Sequence, residues 1–183
     1  MSPTMLAQEV TGGRYLRPPH IRLIEEKLLD IYHGKIRRLI ITLGPRHGKS
    51  ELISKYFPAW YLGKRPDDKI LLTCYGASFA ASWGRKVRDI IDGYGHNFDI
   101  SLDEASRAVN KFNIKGFDGG LNTAGVDGDV YGKGANIFIV DDPVKNDKEA
   151  NSITYRDNIW NWYRSTATSR LEPNGAIIII MTR

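Results

Sequence analysis

The amino-acid sequence predicts an α/β fold with a mostly parallel central sheet flanked by helices. Three observations indicate it: short apolar runs typical of buried strands, amphipathic segments between them, and a glycine-bearing loop where a strand meets a helix. Strands that are apolar throughout are typical of parallel sheets covered by helices on both faces. The predicted strands are residues 37–43, 69–75, 137–140 and 176–181, with shorter β-like pieces at 111–115 and 120–124.

The predicted helices alternate with these strands. Pro18 and Pro19 begin the first helix, because proline fits the first helical turn, and Gly34 ends it. No internal repeat or linker divides the 183 residues, so we expect one domain. The other predicted helices run from about residue 48 towards Pro58, from 77 to 92, and from about 145 to 164.

The composition argues against several classes of protein. A single cysteine, Cys74, excludes an internal disulfide and fits a reducing cytosol. No apolar run is long enough to span a bilayer and the start of the chain lacks a signal-peptide pattern, so we expect no membrane partner. The four histidines lack metal-ligand spacing, so we predict no zinc site. A net charge of +5 is compatible with a polyanionic partner without establishing one.

The most informative stretch follows the first strand, where a glycine-bearing turn leads through Lys49 and Ser50 into a helix. Backbone N–H groups, the helix N-terminus and a lysine together hold nucleotide phosphates, and the serine hydroxyl is placed to bind magnesium. Leu43 stands where the usual pattern has a glycine, and we expect Gly44 to take over that turn. An ordinary glycine-rich turn with a surface lysine is the competing interpretation. The candidate nucleotide-binding residues are Gly44, Pro45, Arg46, His47, Gly48, Lys49 and Ser50.

A second strand supplies the carboxylates that a phosphate loop requires. The apolar run 137–140 ends in Asp141, Asp142 and Pro143. Adjacent side chains at a strand end point different ways, so the two carboxylates can take different roles. Asp141 is predicted to bind magnesium, directly or through water, and Asp142 to orient or deprotonate the attacking water. Without the phosphate loop, the same residues would be a strand that ends in a turn.

Four stretches, in order and spanning nearly the whole chain, together carry a likeness to a known family. They are residues 18–20, 44–51, 131–135 with 141–146, and 170–173 with 177–183. The chain resembles the ATPase domain of the large terminase subunit of tailed bacteriophages, the motor that packages DNA into empty capsids. The resemblance implies a P-loop NTPase of the additional-strand type, with ATP and Mg²⁺ as ligands and double-stranded DNA as the translocated partner.

The resemblance also implies roles for single residues. Tyr15, Arg17 and His20 match the adenine-side motif and are candidates to stack on or hydrogen-bond the base, although a proline-led helix cap explains them equally well. Arg46 matches the in-loop arginine that contacts the γ-phosphate, and Thr182 lies in the coupling motif that senses this phosphate. The predicted catalytic residues are Arg46, Lys49 and Asp142.

The sequence departs from the family in three respects. Many large terminases have a glutamate where this chain has the shorter Asp142, and Leu43 replaces the first loop glycine. The carboxylate cluster of the ribonuclease-H-like nuclease domain is also missing. We therefore expect residues 1–183 to be a single N-terminal ATPase domain, a fragment of a longer protein, without nuclease activity.

The resemblance implies a homo-oligomeric ring in which an arginine of the neighbouring subunit completes the site. Arg170, in the family-like stretch 170–173, is the first candidate for this finger and Lys133 the second, although each fits a solvated surface cation too. The portal protein and the small terminase subunit are further implied partners, and the expected location is the host cytoplasm, transiently at the procapsid portal. The other candidate fingers are Arg85, Arg88, Arg107 and Arg164.

Other function classes remain open at this stage. A helicase-type nucleic-acid translocase is the main alternative, because residues 165–168 are similar to a Ser-Ala-Thr stretch of such enzymes; here, however, the stretch precedes the last strand. A non-catalytic nucleotide-binding module is less compatible with Lys49, Ser50, Asp141 and Asp142. A nucleoside kinase is disfavoured, because we find no arginine-rich lid segment.

Overall fold

A seven-stranded sheet forms the centre of the protein in a computed structural model, which describes residues 1–126, 128 and 134–182. The strands are β1 (Arg38–Leu43), β2 (Lys69–Cys74), β3 (Leu102–Ala108), β4 (Lys111–Ile114), β5 (Gly120–Gly125), β6 (Ala135–Asp141) and β7 (Leu171–Thr182). The α-helices are α1 (Pro3–Val10), α2 (Pro19–Tyr32), α3 (Phe57–Lys64), α4 (Ala77–Tyr94), α5 (Asp147–Asn151) and α6 (Ile153–Trp162). Two π-helical turns adjoin them, Glu51–Tyr56 before α3 and Tyr163–Ala167 after α6.

The strand order is β1-β7-β6-β2-β5-β4-β3. Strands β1, β7, β6, β2 and β5 pair in parallel, while β4 and β3 add an antiparallel end. Strand β7 lies between β1, which leads into the phosphate loop, and β6, which ends at Asp141. The predicted α/β fold with a mostly parallel sheet flanked by helices is confirmed, and β7 is the additional strand of the predicted fold class.

Each face of the sheet packs against its own layer of helices. The larger core lies on the face covered by α1 to α4 and includes Leu28, Phe57, Val87 and Ile178, all at most 1% exposed. A smaller cluster on the opposite face, centred on Phe138, packs against the region of α6 and the π-helical turn that follows it. Because apolar strands are covered on both faces, β2 and β6 are buried along nearly their whole length.

The helix after the phosphate loop is longer than predicted. Helical structure continues beyond Pro58 to Lys64, because Pro58 lies in the first turn of α3, directly after the π-helical turn, where its missing N–H costs no hydrogen bond. The predicted helix at 145–164 is two helices, since Ser152 has an extended backbone and caps α6 by accepting a hydrogen bond from the Tyr155 amide.

Three elements differ from the sequence-based expectation in other ways. Strand β7 begins at Leu171, earlier than predicted. Its first residues are mostly polar and its register with β6 shifts there, so the sequence shows no apolar run at its start. Strand β3 was not predicted, since it is a mostly polar strand at the end of the sheet. Helix α1 was also not predicted, although Ser2 caps it and Pro3 lies in its first turn.

In the described ranges, no helix is both long and apolar enough to cross a membrane.

Two glycines of α4 offer a matched test of its packing. A Cβ at Gly84 would collide with the backbone carbonyl of Val109 and lie 2.9 Å from a methyl carbon of Thr123, whereas a Cβ at Gly93 would meet nothing within 4 Å. We expect Gly84→Ala to lower the free energy of unfolding by about 1–3 kcal/mol through overpacking. Gly93→Ala should raise it by about 0.5 kcal/mol through helix propensity. Chemical denaturation measures both, and equal effects would contradict the close contact at Gly84.

Candidate nucleotide-binding site

The carboxyl ends of β1, β7 and β6 meet at one end of the sheet, which we call its carboxyl end. This arrangement brings together Lys49 and Ser50 after β1, Asp141 and Asp142 at the end of β6, and Thr182 at the end of β7. In open parallel sheets, ligands bind outside the carboxyl ends of the strands. The five residues are separated by up to 133 positions in sequence, and the fold places their side chains in direct contact.

The phosphate loop, residues 44–50, connects β1 to the π-helical turn. Arg46 (φ 61°) and Gly48 (φ 79°) have left-handed backbone conformations, which glycine adopts freely. Gly44 opens the loop without such a conformation; a Cβ there would lie 3.2 Å from a carbon of the His47 ring. Gly44 thus lies at the start of the loop against the His47 ring, and the left-handed positions of the loop are Arg46 and Gly48.

Lys49 is 5% exposed and belongs to a chain of hydrogen bonds. Its Nζ donates to Thr182 Oγ1 at 2.8 Å and lies 3.8 Å from Asp142 Oδ2. Thr182 in turn donates twice to Asp142, from its backbone N–H to Oδ1 (2.6 Å) and from its hydroxyl to Oδ2 (2.7 Å). The ammonium group and the carboxylate are thus held at the same point by one threonine.

Asp142 has a left-handed backbone (φ 45°), which is uncommon outside glycine and which the surroundings must impose. Its N–H donates to the Ile180 carbonyl (2.9 Å) and its carbonyl accepts from the Tyr75 N–H (3.3 Å). These bonds join the ends of three strands and fix the direction of the side chain. Asp142 therefore points towards Thr182, away from Asp141 and its partners.

Asp141 is 1% exposed, and both of its carboxylate oxygens accept hydrogen bonds from serine hydroxyls. Ser50 donates to Oδ1 (2.9 Å) and Ser54 to Oδ2 (2.7 Å). Burial raises the pKa of Asp141 above its usual range, and the two serine hydroxyls act against this rise. Sequence reasoning missed Ser54, although its position four residues after Ser50 would have placed both hydroxyls on one helical face.

The residues at this point suit a magnesium ion. Mg²⁺ prefers oxygen ligands and usually binds one or two carboxylates together with phosphates and water. Ser50 and Asp141 provide a hydroxyl and a carboxylate 2.9 Å apart. Within residues 1–126, 128 and 134–182, no group of three or more histidine, cysteine or acidic side chains could hold a metal ion alone. Bound phosphates would therefore have to supply part of the coordination.

A cavity of about 420 Å³ adjoins Asp142 and Thr182. Its walls include Tyr75 and Phe79, whose rings stack with centroids 5.1 Å apart. The phosphate-loop residues do not line it. Asp142 and Thr182 therefore border the cavity and also contact Lys49.

Tyr15 lies beside the helical segment that follows the phosphate loop, and Arg17 lies beside α2. The Tyr15 ring packs edge-on against Tyr56 (5.2 Å between centroids), and burial raises the pKa of Tyr15 above its usual range. Arg17 forms a 2.9 Å ion pair with Glu25. Among the described residues, the Tyr15 hydroxyl and Arg17 Nε are buried without a hydrogen-bond partner. The side of the site predicted to bind the adenine base thus has two hydrogen-bond donors without a partner in the described residues.

His20, the third adenine-side candidate, contacts the loop directly. Its Nε2 lies 3.1 Å from the carbonyl oxygen of His47, and the two rings meet edge-on with centroids 5.9 Å apart. His47 Nδ1 in turn lies 2.8 Å from the Pro45 carbonyl. The contact ties α2 to the phosphate loop, so His20 has a positioning role even without a bound base.

The two arginines predicted to act in the chemistry occupy different places. Arg46 is exposed at the tip of the loop, and its guanidinium forms no hydrogen bond or ion pair within the described ranges. Arg170 directly precedes β7 and lies at the opposite end of the sheet from Thr182, so it cannot reach the site of its own chain. Residues 131–133, including Lys133, and Arg183 lie outside the described residues.

Comparisons with known proteins concern the family and the fold of the chain. A sequence model of the N-terminal part of the terminase large subunit, T4likevirus-type, matches residues 40–183. Among curated proteins, none matches the chain in sequence. The structure is similar to the large terminase of bacteriophage HK97, with a TM-score of 0.60, 14% identity, and coverage of 91% of this chain and 33% of that chain.

The large terminase of a thermophilic bacteriophage is similar as well. Its complex with ATP-gamma-S has a TM-score of 0.51 at 10% identity, covering 85% of this chain and 37% of that one. A second crystal form has a TM-score of 0.51 at 14% identity, covering 85% and 38%. At these identities the likeness shows the fold, and this chain spans roughly a third of the length of these structures. Because the family match covers most of the sequence, the chain belongs to the terminase large subunit family, in its N-terminal part.

Proposed function

We propose that this chain binds and hydrolyses ATP with Mg²⁺, as the motor domain of a phage large terminase that drives double-stranded DNA into the procapsid. The observation that carries the proposal is the contact of Lys49 with Thr182 and Asp142 beside the Ser50–Asp141 pair. Membership of the terminase large subunit family supports a DNA-packaging motor. The large terminase of the thermophilic bacteriophage, in complex with ATP-gamma-S, supports nucleotide binding at this fold.

The residues of the site divide the work by their positions. Lys49 binds the terminal phosphates after exchanging its bond to Thr182 for a phosphate oxygen, with the exposed Arg46 as a second cation. Ser50 and Asp141 would hold a magnesium ion, which would neutralise negative charge on the phosphates. Asp142 accepts the proton of the attacking water, because its carboxylate lies 3.8 Å from Lys49 Nζ, next to the phosphates that Lys49 would bind. Thr182 contacts both Lys49 and Asp142, so its hydrogen bonds change when Lys49 binds a phosphate.

The larger assembly is part of the same proposal. We infer a homo-oligomeric ring that contacts double-stranded DNA, the portal protein and the small terminase subunit in the host cytoplasm, without nuclease activity in these residues. Arg170 lies at the far end of the sheet, so it can act as a finger only when supplied by a neighbouring subunit packed head to tail. Heterologous contacts form a closed ring when the rotation between neighbouring subunits closes.

The two carboxylates should fail in different ways. Asp142→Asn is expected to keep ATP affinity while lowering the rate of hydrolysis by about 10²–10⁴-fold, because an amide cannot take a proton from water. Asp141→Asn should instead weaken binding that depends on magnesium. Steady-state phosphate release and nucleotide titration with and without Mg²⁺ measure both, with Lys49→Ala as an inactive reference. Near-normal turnover in Lys49→Ala would contradict the assignment of residues 44–50 as a phosphate loop. Identical behaviour of Asp141→Asn and Asp142→Asn would contradict the different roles proposed for the two carboxylates.

The hydrogen bond from Ser54 affects the pKa of Asp141 in the candidate magnesium site. Ser54→Ala removes the hydroxyl that holds the pKa of the buried Asp141 down, so this pKa should rise further. The carboxylate is the form that binds magnesium; it would then become protonated at a higher pH, and the acid limb of the ATPase pH profile should move up. Ser82→Ala is the control, because Ser82 donates to the Phe79 carbonyl in α4 and touches no carboxylate. An unmoved acid limb in Ser54→Ala would contradict this role.

A mixture of two inactive variants tests the shared site. Arg170→Ala retains a complete site of its own but supplies no finger, whereas Asp142→Asn supplies the finger but has no base. If Arg170 acts on a neighbouring subunit, mixing the two should recover ATPase activity, and wild-type specific activity should rise with protein concentration. Full activity of Arg170→Ala alone, at a rate independent of concentration, would exclude Arg170 and leave Arg46 as the arginine of the chemistry.

A further inference from the structure

A second polar cavity lies at the amino end of the sheet, opposite the phosphate loop. It has a volume of about 270 Å³ and is formed where the chain enters β1, β2, β6 and β7. Its polar lining comes mainly from the segment before β1, from the end of α3 and from the start of β2. The residues that the argument uses are Tyr32, Arg37, Tyr61, Arg65 and Asp68.

The carboxylate of Asp68, the acidic residue of this cavity, already has a hydrogen-bond donor and a nearby cation. The Tyr61 hydroxyl donates to Asp68 Oδ2 at 2.7 Å, and Arg65 Nη1 lies 4.0 Å from the same oxygen. Burial and the adjacent Asp68 raise the pKa of Tyr61, so the phenol remains a donor. Arg65 also donates to the Tyr32 carbonyl at 3.0 Å and lies over the Tyr32 ring at 4.9 Å. Its guanidinium is therefore fixed in place before any ligand arrives.

The second arginine of the cavity lining, Arg37, has no acidic partner among the described residues. Arg37 is exposed and forms no side-chain hydrogen bond or ion pair in the part of the chain that the structure describes. The neighbouring Arg38 does not line the cavity and donates to the carbonyls of Arg37 (2.8 Å) and Gly175 (3.4 Å). The cavity thus has one exposed arginine beside the fixed Arg65 in its lining. Guanidinium groups bind planar oxyanions through paired hydrogen bonds.

We propose that this cavity and its rim bind the phosphate backbone of double-stranded DNA, with Arg37 as the first contact and Arg65 held in place behind it. The inference rests on the proposed function for the choice of DNA as the source of phosphate. Arginine contacts to phosphates fix a protein on a duplex without reading its sequence, as a packaging motor requires. Because the site and the phosphate loop lie at opposite ends of the sheet, the chain can hold DNA and nucleotide together.

The test is binding of a fluorescent 20–30 bp duplex of arbitrary sequence to the whole chain, without nucleotide, over a range of salt concentrations. Arg37→Ala should weaken binding about three- to tenfold at low salt and reduce the slope of log K against log salt by about 1. Lys148→Ala removes the same charge from the exposed surface of α5 at the carboxyl end and should leave affinity within about twofold. Arg37→Ala should keep wild-type ATPase activity.

Several outcomes would overturn the proposal. Equal losses in Arg37→Ala and Lys148→Ala would reduce the effect to net charge. If inorganic phosphate at low millimolar concentration displaced the duplex equally well from the wild type and from Arg37→Ala, the phosphate would bind elsewhere on the chain. Unchanged DNA binding, together with self-association of the wild type that Arg37→Ala abolishes in sedimentation, would assign the surface to a second copy. A chain that hydrolyses ATP but binds no DNA would reject this inference alone, whereas DNA binding through Arg37 without ATP hydrolysis would reject the ATPase proposal alone.

Discussion

The hydrogen bonds that Thr182 makes to Asp142, and accepts from Lys49, are the interaction on which the candidate site depends. Neighbouring strands lie about 4.8 Å apart, so β1 and β6 are about 10 Å apart across β7. The phosphate loop after β1 reaches over that span, since Ser50 contacts Asp141 at 2.9 Å and Lys49 Nζ lies 3.8 Å from Asp142 Oδ2. Thr182, at the end of the strand between them, hydrogen-bonds to both Lys49 and Asp142. The position of β7 in the sheet therefore adds a third element that joins the two sequence motifs.

The cost of burying Asp141 explains much of the structure around it. A buried carboxylate is unfavourable unless hydrogen bonds compensate for lost water, and here the two serine hydroxyls do so. Both donors come from the start of the helix after the phosphate loop, so they also join that helix to β6. Asp142, one residue later, escapes burial by a left-handed backbone that turns it towards Thr182. The same strand end thus supplies one carboxylate for a cation and one for a water.

The sequence predicted candidate residues from strand ends and from the family resemblance, and it missed contacts that form only in the folded chain. Lys49 and Asp141 were predicted because they follow or end apolar, strand-like runs, whereas Thr182 was implied by the resemblance. Ser54 carried no such signal, since a serine inside a helix is ordinary until its neighbour is known. Strand β3 is polar because it lies at the end of the sheet, and no periodicity marks it. The left-handed conformation of Arg46, a residue other than glycine, is likewise not marked by any sequence pattern.

The two ends of the sheet differ in chemistry, and β7 connects them. At its carboxyl end, Thr182 contacts Lys49 and Asp142, while its early residues Pro173 and Asn174 line the cavity at the amino end. Hydrogen bonds to β1 and β6 run along β7, so the strand is held as a rigid element over this distance. If Thr182 exchanges one hydrogen-bond partner for another, the exchange occurs on the strand whose first residues line the second cavity. Strand β1 is the shorter covalent path between the two ends, because Arg37 directly precedes it and the phosphate loop directly follows it, and β7 pairs with β1 along its length.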